Sequence, residues 1–209
     1  MAITRRPFTS IFSVILLLPL YLSAQDDNGQ KNWEVAVEQE GITVYTRDVD
    51  GSSMKATKSV LTIDVGKEEI AEALRDVESQ HEWMATIIEN RMLDQISRNE
   101  YYAYYKADAP WPVSQRDIVS HYKVKEKSSG EILFNVEGAP DYIDEKEGIV
   151  RIQNATSLWR ILPQKGKSVK VIYRYHAEPG GSIPSWLANQ AVTDTPFNTV
   201  KNLRERLEE

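Results

Sequence analysis

The sequence predicts an α+β fold in which helices cover one face of a curved antiparallel sheet. Most of the chain alternates apolar and polar residues at a period of two, which is typical of strands with one buried face. The spacing becomes that of an amphipathic helix over residues 67–87 and again over residues 183–209. Strands, a short helix, a long run of strands and a terminal helix therefore follow one another, an order typical of this class.

The predicted strands share this alternation and are separated by residues that favour turns, such as Gly41, Asn99 and Gly130. Because short turns join most of them, we expect neighbours in the chain to pair as antiparallel hairpins. The predicted strands are residues 33–39, 42–49, 54–65, 87–97, 100–108, 117–127, 131–138, 148–163 and 168–179.

Two segments have helical spacing. In residues 67–87, apolar residues recur on one face, and acidic residues occupy the first turn, where they favour the helix dipole. In residues 183–209, Pro184 suits a first helical turn and Ser182 can cap it. Pro196 lies inside this second segment and is expected to kink or interrupt the helix.

Residues 1–24 are predicted to be a secretory signal peptide. The start is positively charged, residues 11–22 are apolar, and small residues precede the expected cleavage after Ala24. The apolar run is too short for a comfortable membrane span, although an uncleaved anchor is the alternative. Residues 25–32 then form a polar tether and residues 33–209 one domain, so we expect the mature protein to be secreted or periplasmic.

Composition excludes several classes of function. The 209 residues carry a net charge of −6, and removal of the predicted leader with its two arginines would make it −8. An acidic surface argues against nucleic acid as a partner. The absence of cysteine excludes disulfides, thiolate catalysis and cysteine-bound zinc. The three histidines, His81, His121 and His176, are scattered along the sequence, so we expect no metal site. We also expect no cofactor. The protein is expected to be a monomer.

A proline-bounded turn precedes one predicted strand, in the sequence APWPVSQRDIV. Proline fixes φ and removes a backbone donor, so Pro110 and Pro112 are expected to lie outside any central strand. The turn presents the indole of Trp111 and delivers Arg116 and Asp117 into the sheet. Because side chains alternate along a strand, these two charges are expected to point to opposite faces.

These features together resemble a START (StAR-related lipid-transfer) domain of the helix-grip, Bet v 1-like superfamily, in a bacterial secreted form. The resemblance covers residues 33–206 and depends on four motifs: GITVY, Glu82-Trp83, WPVSQRDIV and PGGSIPSWLANQAV. It implies a curved antiparallel sheet wrapped around the C-terminal helix, with an internal hydrophobic tunnel. It also implies that this tunnel holds one apolar lipid, such as a sterol, a phospholipid or another acyl lipid.

The resemblance also implies which side chains contact the lipid. Arg116 would lie at the polar end of the tunnel and meet a hydroxyl, carbonyl or phosphate of the cargo. The alternative is that Arg116 pins the turn to a neighbouring carboxylate or carbonyl. Trp83 is either a core anchor or a ligand contact. The implied lining is Trp83, Ala103, Tyr105, Arg116, Ile118, Ser120, Ala155 and Ser157, closed by Leu187, Gln190, Ala191 and Asp194 of the last helix.

Two tryptophans are candidates for transient membrane contact. Trp111 and Trp186 would lie at the tunnel mouth, at the depth where indoles favour lipid head groups, and core packing is the alternative for Trp186. We expect the C-terminal helix to gate the tunnel, with Gly180-Gly181 as its hinge.

Phosphatidylcholine fits this predicted lining poorly. Members of the family that hold phosphatidylcholine place an arginine where this chain has Gln80, and aromatic residues where it has Ile118 and Ala155. A choline group is therefore expected to find only the aromatic ring of Tyr105.

We expect a carrier and not an enzyme. The alternative is a polyketide cyclase or aromatase of the same superfamily, which would need an acid and a base meeting in the tunnel. The inward groups available for that chemistry are Tyr105, Arg116, Tyr122 and Asp194, and no inward histidine is expected. A partner-binding module with a filled groove is a third hypothesis.

Overall fold

The computed structural model describes residues 33–181 and 183–209, which form one largely antiparallel sheet with two α-helices. The helices are α1 (Lys67–Arg75) and α2 (Ser185–Glu208), and short 3-10 helices occupy Val77–Glu82 and Pro140–Tyr142. The strands are β1 (Glu34–Gln39), β2 (Ile42–Arg47), β3 (Ala56–Ile63), β4 (Ile87–Ser97), β5 (Glu100–Ala107), β6 (Arg116–Glu126), β7 (Ile132–Gly138), β8 (Val150–Arg151), β9 (Asn154–Pro163) and β10 (Val169–Glu178).

The sheet order is β1-β2-β3-β10-β9-β7-β6-β5-β4, which brings the early hairpin beside the last strand. The predicted α+β class and curved antiparallel sheet are confirmed. Pairing shifts register once between β1 and β2 and three times between β4 and β5, and such bulges bend a sheet and increase its twist. Curvature is therefore concentrated towards the two ends of the strand order.

The prediction of one strand over residues 148–163 is wrong, because the structure has two strands in this segment. β8 leaves the antiparallel pattern and pairs in parallel with the first two residues of β6, Arg116 and Asp117. The backbone N–H of Ile152 donates to the carbonyl of Asp117 at 2.9 Å, and β9 starts only at Asn154. The segment leading into β8 therefore lies across the outer face of the sheet near the beginning of β6.

The first predicted helix is shorter than expected. α1 ends at Arg75, and the chain continues as a 3-10 helix to Glu82. Ile70 and Leu74 are buried, as the helical spacing predicts, and they join one core cluster with Ile42, Leu61, Phe134 and Leu203 from the sheet and α2. The Glu69 carboxylate accepts from the Gly66 backbone N–H at 3.2 Å and completes the first turn.

The second half of α2 is fastened to the rest of the fold, and the helix runs through Pro196 without interruption. Lys201 pairs with Glu40 at 2.8 Å, and Arg206 pairs with Glu82. Three further hydrogen bonds connect the Ser59 hydroxyl to the Pro196 carbonyl (3.3 Å), the Ala85 backbone N–H to the Thr199 hydroxyl (3.2 Å) and the Asn202 side chain to the Trp83 carbonyl (3.0 Å).

The predicted signal peptide and tether lie outside the described residues, as does the predicted cap Ser182. None of the described helices combines the length and apolarity needed to cross a bilayer.

Candidate functional site

A cavity of about 120 Å³ lies between the sheet and the middle of α2. Its walls come from strands β5, β6, β7, β9 and β10, from the loop at residues 84–87, and from Thr195, Pro196 and Thr199 of α2. Thr195 and Thr199 are four residues apart and therefore lie on one face of the helix. The sheet and the terminal helix thus enclose the cavity as the resemblance implies.

Six of the predicted lipid contacts line this cavity. They lie on three strands whose side chains alternate between the faces of the sheet, so residues two apart reach the same side. The six are Tyr105, Arg116, Ile118, Ser120, Ala155 and Ser157.

Two other predicted contacts on the sheet side are buried outside the described lining. Trp83 is 2% exposed and meets Trp159 edge to face, with ring centroids 6.1 Å apart. Because Trp159 does line the cavity, Trp83 supports the wall from behind, as the core-anchor alternative predicts. Ala103 is fully buried on β5, two residues before Tyr105.

The predicted contacts on α2 are only partly described. Leu187 is half-buried, and the side chains of Trp186, Gln190 and Ala191 lie outside the described residues. Asp194 is exposed and does not line the cavity, contrary to the expectation that it closes the tunnel. The helix face that contacts the cavity is the one with Thr195, one residue and therefore about 100° further round.

A buried hydroxyl network lies in the wall. The Tyr105 hydroxyl donates to Gln80 Oε1 at 2.7 Å and lies 2.7 Å from the Tyr122 hydroxyl, which donates to it. Gln80 in turn donates to the carbonyl of Leu74 at 2.8 Å. Burial raises the pKa of Tyr105 and of Tyr122, so both phenols are neutral at physiological pH. The network therefore offers hydrogen bonds and no charge.

Sequence reasoning missed three aromatic residues of the lining, Trp159, Tyr173 and Tyr175. Tyr173 stacks on Trp159, with 3.9 Å between the ring centroids. Burial raises the pKa of Tyr175 to about 12. No described residue hydrogen-bonds to the hydroxyl of Tyr173 or Tyr175, so both can serve a bound molecule. The alternation of VIYRY was the available signal, but alternation does not say which face is inward.

The cavity lining contains more aromatic residues than the prediction about choline considered. Tyr122, Trp159, Tyr173 and Tyr175 line it as well as Tyr105.

Arg116 lies in the cavity wall, as the resemblance implies. Arg116 is 7% exposed, and its guanidinium donates to three backbone carbonyls. Nε donates to Pro179 at 3.5 Å, Nη2 donates to Gly180 at 3.3 Å, and Nη1 donates to Ser114. The alternative in which Arg116 pins the turn is therefore present in the structure, together with the position in the lining.

Asp117 faces the opposite side of the strand, also as predicted, but it is not exposed. Its carboxylate accepts two hydrogen bonds from Arg151, at 2.7 and 3.0 Å. Arg151 also donates to the carbonyls of Pro140, Ile143 and Asp144, which lie in the segment that covers this outer face. The two neighbouring charges therefore hold different segments on opposite faces of β6.

Trp111 is 92% exposed on the turn between β5 and β6. That turn lies at the same end of the sheet as residues 84–87 and 179–181, because β4 begins, β10 ends and β6 begins there. The exposed indole is therefore at the same end of the sheet as residues 84–87, which line the cavity.

The cavity is smaller than the implied tunnel. A cavity of about 150 Å³ accommodates benzene, and sites for drug-sized ligands have about 300–1,000 Å³. The cavity of about 120 Å³ is therefore smaller than the space that a complete acyl lipid needs.

A family model described as START domain matches residues 21–209. A solved STAR-related lipid transfer protein from Xanthomonas axonopodis is 39% identical with a TM-score of 0.79, over 86% of this chain and 100% of that chain. An uncharacterized protein of Pseudomonas aeruginosa is 35% identical over 178 residues, 85% of this chain and 88% of its own length. The phosphatidylcholine transfer protein of Mus musculus is 27% identical over 179 residues, 82% of each chain. The chain therefore belongs to the START domain family.

Proposed function

We propose that this protein binds one apolar lipid in the cavity between the sheet and α2 and carries it between membranes. The observation that supports this most directly is the cavity, whose wall combines aliphatic and aromatic side chains with hydroxyl groups of Tyr173 and Tyr175. Burying a lipid tail there is favourable by about 0.8 kcal/mol per methylene. Transfer through water is correspondingly slow without a carrier.

The names of relatives support lipid as the cargo, since one is a STAR-related lipid transfer protein and another a phosphatidylcholine transfer protein. The aromatic lining extends the candidate cargo to phospholipids with a choline group, which several tyrosine rings could contact. A sterol or another acyl lipid remains in the same class, because the apolar part of the wall does not distinguish between them.

An enzymatic role needs an acid and a base that converge in the cavity. No histidine is among the lining residues that the structure describes, and the Asp117 carboxylate is paired with Arg151 on the outer face. Burial raises the pKa of Tyr105, which disfavours it as a base. These features support a carrier over the cyclase alternative.

Native mass spectrometry of the protein purified from its host tests this function. We expect a complex with one lipid per chain. We also propose that the leader is cleaved during export, so the measured mass of the polypeptide should be that of a chain beginning at Gln25. Extraction would identify the lipid. Protein that carries no lipid and takes none up from phosphatidylcholine vesicles would contradict the proposed function, and an intact leader would contradict export with cleavage.

Trp111 is proposed to contact the membrane during loading and release. Trp111→Ala is expected to slow lipid transfer between vesicles roughly 10-fold, because burying a large apolar side chain contributes about 1.5–3 kcal/mol. The equilibrium amount of bound lipid should not change. Fluorescence dequenching of a labelled lipid measures the transfer rate.

Ile96→Ala is the matched control for Trp111→Ala, because Ile96 is 61% exposed near the opposite end of the sheet. An equal rate for Trp111→Ala and wild type would remove this turn from the membrane contact.

A further inference from the structure

One guanidinium in the cavity lining connects two chain segments. Arg116 donates to the carbonyl of Ser114, in the turn that follows Trp111, and to the carbonyls of Pro179 and Gly180, which precede α2. The turn and the segment before α2 are far apart in the sequence and meet at this side chain.

The bonds from Arg116 to the segment before α2 are long and neutral. They measure 3.5 Å to Pro179 and 3.3 Å to Gly180, whereas a guanidinium binds an oxyanion at about 2.7–2.9 Å with roughly twice the strength. No described carboxylate pairs with Arg116, and burial lowers its pKa. The cation is therefore held by groups that an oxyanion would outcompete.

Arg116 is also the only cation among the lining residues that the structure describes. The described lining includes two acidic residues, but Asp117 is paired with Arg151 and Glu137 is exposed on the outer side of β7. Among the cavity-lining residues that the structure describes, the positive charge consequently has no partner of opposite sign. A cargo with one negative charge near its head would supply that partner.

We propose that the cargo carries an oxyanion, a phosphate or a carboxylate, which takes Arg116 from the carbonyls of Pro179 and Gly180 and so releases the segment before α2. This inference rests on the proposed lipid-binding function. It assigns Arg116 two roles in sequence, a latch on the closed cavity and then the recognition group for the lipid head.

The motion that follows release is bounded at both ends. Gly180 and Gly181 have φ values of +64° and +63°, a region that favours glycine and gives the chain a pivot there. From Pro196 onward α2 is held by its hydrogen bonds to Ser59, Ala85 and Trp83. Because proline supplies no backbone N–H, the helix loses one internal bond at that position. Release of the latch therefore moves the first half of α2 and leaves the second half in place.

Two ligands with the same tail test the recognition step. Oleate and oleyl alcohol differ only in the oxyanion, and we expect wild type to bind oleate at least roughly 10-fold more tightly, as charge-assisted hydrogen bonds predict. Arg116→Gln should remove this preference, so that the variant binds oleate no more tightly than it binds oleyl alcohol. Arg98→Gln is the control, since Arg98 pairs with Glu72 and is far from the cavity lining. Dioleoylphosphatidic acid against dioleoylglycerol distinguishes phosphate from carboxylate.

Hydrogen exchange tests the latch. Oleate should increase exchange in peptides that span Gly180 and the start of α2, oleyl alcohol should not, and peptides from residues 197–208 should not change. Arg116→Lys keeps the positive charge but loses the planar guanidinium, so it should retain part of the preference for oleate over oleyl alcohol. Hydrogen exchange near Gly180 should already be fast in this variant without ligand.

Equal binding of oleate and oleyl alcohol by wild type, or unchanged exchange near Gly180 with oleate bound, would overturn this inference and leave lipid binding intact. Failure of every lipid to bind wild type would overturn the proposed function itself, and this inference with it. If Arg116→Gln does not fold, Arg116→Lys still decides the latch by its exchange rate.

Discussion

Replacing Asp117 by asparagine is expected to lower the free energy of unfolding by about 3–5 kcal/mol, because it leaves the Arg151 guanidinium buried without its counter-charge. The two side chains are 1% and 0% exposed, so water cannot compensate. Domains typically have about 5–15 kcal/mol of stability, so this loss is a large part of the total. The melting temperature should fall by roughly 10 °C.

The destabilisation by Asp117→Asn should be measured by urea denaturation followed by circular dichroism. Arg151→Met is expected to cost at least as much, since it also strands the carbonyls of Pro140, Ile143 and Asp144. The double variant should lose less than the sum of the two single losses, because it contains no unpaired charge.

Arg98→Gln again provides the control, because it removes an ion pair whose side chains are 68% and 54% exposed. Pairs of this kind contribute about 0–1 kcal/mol. If Asp117→Asn were no more destabilising than this control, the Asp117–Arg151 pair would not be holding the covering segment on β6.

The strands could be predicted because a sheet with one buried face requires apolar and polar residues to alternate along each strand. The predicted hairpins at β1–β2 and β6–β7 are confirmed. Alternation also predicted that Arg116 and Asp117 face opposite sides of β6, and the resemblance implied that Arg116 is the inward one. β8 could not be predicted, because two residues show no periodicity. Its parallel pairing depends on Asp117 and Arg151, which are 34 positions apart in the chain.

The site was less predictable than the fold, because a cavity depends on which face of each strand meets the helix. Resemblance supplied that information for β5, β6 and β9, and six of the expected contacts line the cavity. It supplied none for β10, so Tyr173 and Tyr175 were missed. On α2 the expected cavity residue was Asp194, whereas its neighbour Thr195 lines the cavity. A periodic pattern that contains a proline does not predict the inward face of a helix to within one residue.

The volume of the cavity could not be predicted from the sequence either. The small residues Ala155 and Ser157 line the cavity. The neighbouring rings of Trp159, Tyr173 and Tyr175 occupy much of the same region, and their rotamers are decided by packing and not by pattern. If the proposed function holds, we expect a lipid to displace these rings or the first half of α2, so that loading is coupled to a conformational change.

Ser157→Phe is expected to reduce lipid uptake at least roughly 10-fold, because a phenyl ring on β9 would occupy the space that a lipid tail needs. Ser157 is half-buried in the cavity wall and lies opposite Val136 on β7 and Tyr175 on β10. Uptake should be measured by native mass spectrometry after incubation with phosphatidylcholine vesicles. The added apolar contacts should leave the melting temperature near that of wild type or raise it.

Asn135→Phe is the matched control for Ser157→Phe, since it adds the same ring to an exposed position on the outer face of β7, beside the cavity-lining Val136. It should take up lipid as wild type does. Ser157→Ala should also bind normally, which would separate lost volume from the lost hydroxyl. Undiminished uptake by folded Ser157→Phe would mean that the lipid occupies another part of the protein, because the new ring would fill the space beside Val136 and Tyr175.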